Sequence, residues 1–158
     1  MPTDRETIAA WIRAAFDGIS HKYAFDETNV IFQFSYRLPN KLSTTRFFIL
    51  TRETDYLIHA VSPIGGDASD TKMTTELALL AVKINSNLVQ GRFDVDLRNG
   101  EIRFRLGVEC TDLDELSNAF VIKTIATAVK MWMIFGECFL GVIFNGLDSD
   151  EALKLKKE

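Results

Sequence analysis

The chain has 158 residues, with 18 lysines and arginines against 22 aspartates and glutamates, a formal charge of −4 and a pI near 5.2. That length fits one domain, 1–158, which can bury a core without a disulfide or metal staple. The acidic balance, with no basic block, argues against a protein that holds the phosphate backbone of nucleic acid. Cys110 and Cys138 lie in different predicted elements and in no CxxC or Cys/His cluster, so they read as buried small hydrophobes in a reducing compartment. No basic n-region followed by an apolar run opens the chain, and the expectation is a cytoplasmic protein.

Thr3 and Glu6 have capping-box spacing, and Ile8, Trp11, Ile12, Ala15, Phe16 and Ile19 then recur at threes and fours, predicting an amphipathic helix that ends near Gly18. From Val30 the period changes to two, and Val30, Phe32, Phe34, Tyr36 and Leu38 form a strand stopped by Pro39-Asn40. Thr44 to Arg52 and Tyr56 to Ser62 read as two more strands, joined by short links as an antiparallel meander.

The segment from Pro63 to Asp70 reads as a loop. Gly65-Gly66 with Asp67 and Asp70 matches neither a phosphate-binding glycine motif nor an EF-hand. A helix follows from an N-cap at Asp70 or Thr71, with Met73, Leu77, Leu80, Ala81, Ile84 and Leu88 on one face.

Asn99-Gly100 is a type I′ hairpin signal. Folding about it sets Phe93 opposite Leu106, Val95 opposite Phe104 and Leu97 opposite Ile102, and on the other face pairs Arg98 with Glu101, Asp96 with Arg103 and Asp94 with Arg105. Asp94 and Asp96 could be an acid/base or metal-binding pair. An arginine opposite a carboxylate lowers its pKa, however, which is wrong for a general acid and favours a structural role.

Thr111-Asp112 supplies the next N-cap, with Asp114 and Glu115 in the first turn of a long helix ended by Asn145-Gly146; Ser149 caps a last short helix. From Met131 to Phe144 only Glu137 is charged. Fourteen such residues fall short of a bilayer span, so the apolar surplus needs cover from the sheet on one side and from another element or a second copy on the other. The candidate protein interface is Trp132, Phe135, Phe139 and Ile143, in a homodimer. Gly136 and Gly141 allow either a close approach or a kink.

The predicted order is α-β-β-β-α-β-β-α, an α+β fold with a five-stranded antiparallel sheet packed by helices. Residues then add to order. Ile84-Asn85-Ser86-Asn87-Leu88, Gly91-Arg92-Phe93 and Gly100-Glu101-Ile102-Arg103-Phe104-Arg105 resemble the core of the YbjN family, the bacterial sensory transduction regulators. Leu140 to Gly146 with Ser149 to Leu153 is similar to that family's closing motif. The resemblance implies a type III secretion chaperone-like fold, dimerisation through sheet or helix faces, and a protein-binding or regulatory role without a catalytic residue.

His21 lies in a polar loop, His59 in a strand reads as structural, and no serine-hydrolase or zinc pattern is visible. The favoured expectation is a non-enzymatic module for a protein partner, with no cofactor, metal, nucleic acid or membrane span. The alternatives are a structural homo-oligomer subunit and a small-molecule-binding or hydrolytic domain using the Gly65-Gly66 loop.

Overall fold

A computed structural model describes residues 3–158. Helix α1 (Arg5–Gly18) starts at Asp4, which has an extended backbone and whose carboxylate receives the Thr7 N–H at 2.8 Å. The cap is therefore Asp4 and not Thr3, whose hydroxyl donates to the Cys110 carbonyl at 2.8 Å. Strands β1 (Ala24–Asp26), β2 (Ile31–Arg37), β3 (Thr44–Thr51) and β4 (Asp55–Val61) follow, then α2 (Thr71–Asn85), β5 (Arg92–Val95), β6 (Ile102–Glu109), α3 (Asn118–Asn145) and α4 (Ser149–Leu153).

All strands are antiparallel in one sheet, ordered β1-β2-β3-β4-β6-β5. The sheet thus has six strands and not five. The extra one, β1, is three residues long, too short for an alternation to register. It is held by a turn in which the Asp26 carboxylate accepts from the Thr28 and Asn29 N–H groups.

The hairpin departs from expectation by two residues. Phe93 pairs with Phe104 and Val95 with Ile102, and the Asp96 N–H donates to Glu101 O at 2.8 Å. Four residues, Leu97 to Gly100, make the turn. Gly100 has φ 78 while Asn99 is not left-handed, so this is no type I′ turn. Gly65 and Gly66 explain the choice: Gly66 N–H donates to Gly100 O at 2.8 Å, and a Cβ on Gly65 would lie 2.6 Å from that oxygen. A shift of two keeps every side chain on its face. The cost is local: Leu97 becomes exposed, and Asp94 lies 3.0 Å from Arg92 and 3.9 Å from Arg103.

All four helices lie on one face of the sheet, the face of Phe32, Phe47, Ile49, Tyr56, Ile58, Phe93 and Phe104, all buried. The helix α3 runs across this face. It begins at Ser117, whose hydroxyl receives the Phe120 N–H at 3.1 Å, and not at Thr111-Asp112; Gly146 ends it with φ 62. Helix α4 is capped by Asp148, boxed with Glu151, and Ser149 is its first residue.

By length and composition α3 could cross a membrane, so length does not exclude it. Here its buried residues run from Val121 to Val142 and meet the sheet, α1, α2 and α4. Gly136 marks a close approach, not a kink: a Cβ there would lie 3.2 Å from Asn40 Nδ2 and 3.3 Å from Leu42, in the β2–β3 loop.

Candidate functional site

The expected interface is divided by this packing. Trp132 and Phe139 are buried, 0% and 1% exposed, around the Phe93 ring at centroid distances of 5.0 and 5.1 Å. The Trp132 indole N–H donates to Ala60 O at 2.9 Å inside the sheet. Both residues are core, and a partner cannot reach them without unfolding α3. Phe135 and Ile143 are half-buried at the core margin. The apolar surplus from Met131 to Phe144 is covered mainly by the chain's own sheet and helices, so it does not require a second copy.

Among the described residues no helix packs on the opposite face of the sheet. Its cross-strand rows follow from the register: Ile31, Leu50, Leu57 and Gly107; then Gln33, Phe48, His59, Arg105 and Arg92; then Ser35, Arg46, Val61, Arg103 and Asp94. None of these residues is fully buried. Five apolar side chains, Ile31, Phe48, Leu50, Leu57 and Val61, occupy the middle, and arginines flank them. Arg46 lies over the Phe48 ring at 5.3 Å, and among the described residues Arg46 and Arg105 have no carboxylate partner, unlike Arg92 and Arg103.

His59 sits at the centre. Its Nε2 is buried without a hydrogen-bond partner among the described residues. Burial, reinforced by the charges of Arg103 and Arg105, pushes its pKa down to about 4, so the ring is neutral at pH 7 and the positive charge of the face belongs to the arginines.

Other candidates resolve structurally. Asp94 and Asp96 each hold an arginine, and Asp96, bonded by the Arg98 guanidinium and N–H, is depressed to about 2. The Gly65-Gly66 loop packs on the hairpin turn. Cys110 and Cys138 are free and buried, and burial raises both thiols to about 11, away from the reactive thiolate. Among the described residues no three His, Cys, Asp or Glu side chains gather to hold a metal.

No family model matches the chain, and no curated protein matches it. A chain in the solved structure of the HopA1-SchA chaperone-effector complex is similar to it, with a TM-score of 0.50 and 12% identity over 84% of this chain and 95% of that one. The fold is chaperone-like. At that identity the likeness concerns fold alone, and the surface chemistry has to be read from this chain's own residues.

Proposed function

We propose that the protein is a non-enzymatic protein-binding module, a divergent YbjN-like domain that works in a reducing, cytoplasmic setting and receives a protein partner on the uncovered face of its sheet. One observation carries this reading: a sheet six strands wide is covered by helices on one face only among the described residues, and the bare face joins apolar residues to Arg46 and Arg105, which have no carboxylate partner among those residues. Exposed apolar area rimmed by charge marks contact surfaces on soluble proteins. Phe48 beneath Arg46 is the kind of aromatic and arginine pair that dominates interface energetics. A partner presenting carboxylates around an apolar centre complements the face. The chaperone-like fold supports the same reading.

The test is capture from native cell extract on the wild-type protein and on Phe48→Glu in parallel. Phe48 is only partly buried, on the face without helices, and the comparison is made once the variant is shown to melt with the wild type. A protein retained by the wild type and lost from the variant supports the reading. A protein retained equally by both moves the surface elsewhere.

A further inference from the structure

Strand β6 runs Ile102–Glu109, whereas β5 pairs only with Ile102 to Arg105. The directions of the remaining backbone groups follow from the ladder. Ser62 N–H donates to Ile102 O at 2.9 Å and Cys110 N–H to Thr54 O at 2.8 Å, so even-numbered residues of β6 bond toward β4. Asp96 N–H donates to Glu101 O at 2.8 Å, so odd-numbered residues bond toward β5. Beyond Arg105 the outward residues are Gly107 and Glu109, and among the described residues no strand pairs with them, because β5 begins only at Arg92, after Gly91 with φ 74. Two N–H and two C=O groups therefore form a bare edge.

Room for a strand flanks this edge on both faces. On the helix side a groove of about 490 Å³ lies between Leu106, Val108 and the α3 residues Phe120, Lys123 and Thr127. On the other side a depression of about 340 Å³ lies over Leu57, Arg105 and Gly107. Side chains of a strand alternate between faces, so one added strand would fill both spaces. Phe120, 43% exposed, and Val89, 99% exposed, border the groove and leave apolar surface for it to cover. On the uncovered face Asp55 is held by Arg52, whereas its cross-strand neighbour Glu109 accepts from the Thr111 N–H through one oxygen and has no cation beside it among the described residues.

We propose that the Leu106–Glu109 edge takes an extended segment of a protein partner as an added antiparallel strand in line with β5. The segment would set apolar residues toward Phe120 and a lysine or arginine opposite Glu109. Backbone pairing supplies the affinity in this mode and the alternating side chains the selectivity. The proposal rests on the protein-binding reading in taking a polypeptide as occupant, but it uses different groups, backbone amides where the bare face uses Phe48 and the arginines.

The probe is an acetylated, amidated heptapeptide, Ser-Val-Lys-Val-Ser-Val-Ser, titrated into the full chain while amide hydrogen exchange is read by NMR. In the free protein the Gly107 and Glu109 amides should exchange at least about ten-fold faster than those of Leu106 and Val108, which bond to β4. Saturating peptide should slow both by about ten-fold or more, and the same peptide N-methylated at alternate residues should not. Glu109→Pro removes one outward donor without touching the β4 ladder and should weaken the peptide at least about five-fold, against no more than about three-fold for Glu109→Ala. Phe48→Glu should bind the peptide as wild type does, which separates this edge from the bare face. Amides already protected in the free chain, amides left fast by the peptide, or equal binding of the N-methylated peptide would each overturn the proposal. If Glu109→Pro fails to fold, the N-methyl comparison decides.

Discussion

Two aromatic regions of the molecule have opposite fates. Around Phe93, the rings of Trp132, Phe139 and Phe104 meet edge to face or tilted, all at most 1% exposed, and the indole N–H finds a carbonyl. Around Phe48 on the other side of the sheet, Leu50, Leu57 and Val61 are only half-buried, and among the described residues a histidine nitrogen has no partner and Arg46 and Arg105 stand without carboxylates. The first region is complete within the chain. The second has polar and apolar groups whose requirements the chain does not meet, and a surface in that condition suits a partner. Apolar composition does not separate them; the position of α3 does.

Breaking the completed region should have the largest effect. Phe139→Ala should cost about 3–5 kcal/mol by leaving a cavity among Phe93 and Trp132, and Phe139→Asp should leave no folded protein at 25 °C, as read by denaturant titration. Next is the turn that anchors the hairpin beside this core. Gly100→Val should cost about 2 kcal/mol or more, because the position is left-handed and a Cβ would run into the Gly66 carbonyl. An unchanged melting midpoint would contradict the close packing of the two glycine loops.

The next effect sharpens the contrast through protonation. Below pH 6.5 the unfolded chain binds a proton at His59 that the folded chain refuses until about pH 4, so stability should fall as the pH is lowered through that window and be level above it. Partial exposure and solvent screening reduce the effect to about 1 kcal/mol. His59→Gln should flatten that part of the profile relative to wild type. The smallest stability effect belongs to the bare face: Arg46→Glu with Arg105→Glu should stay within about 0.5 kcal/mol of wild type.

The strands other than β1, the α2 cap, narrowed to Asp70 or Thr71 and found at Asp70, and the glycine end of α3 were legible because each rests on a local pattern: period two, a carboxylate before an apolar helix, or a residue that tolerates positive φ. Two readings failed where distant contacts outweigh local ones. Asn99-Gly100 has the local chemistry of a two-residue turn, but Gly66 bonds across to Gly100 and a wider turn forms. Met131 to Phe144 is apolar nearly all round, which signals cover without naming its source. The clue to the bare face was present in Phe47-Phe48-Ile49-Leu50, apolar at both parities, because a strand with a fully solvated outer face has no need of Phe48 and Leu50.

The most direct test is titration of the purified captured partner against Phe48→Glu and Met133→Glu, the latter on the exposed side of α3, after both variants are shown to melt with the wild type. The bare-face account predicts that Phe48→Glu weakens binding by about ten-fold or more, the scale of one interface hot spot, while Met133→Glu leaves it unchanged. Binding lost in Met133→Glu and kept in Phe48→Glu would contradict it and return the interface to the last long helix.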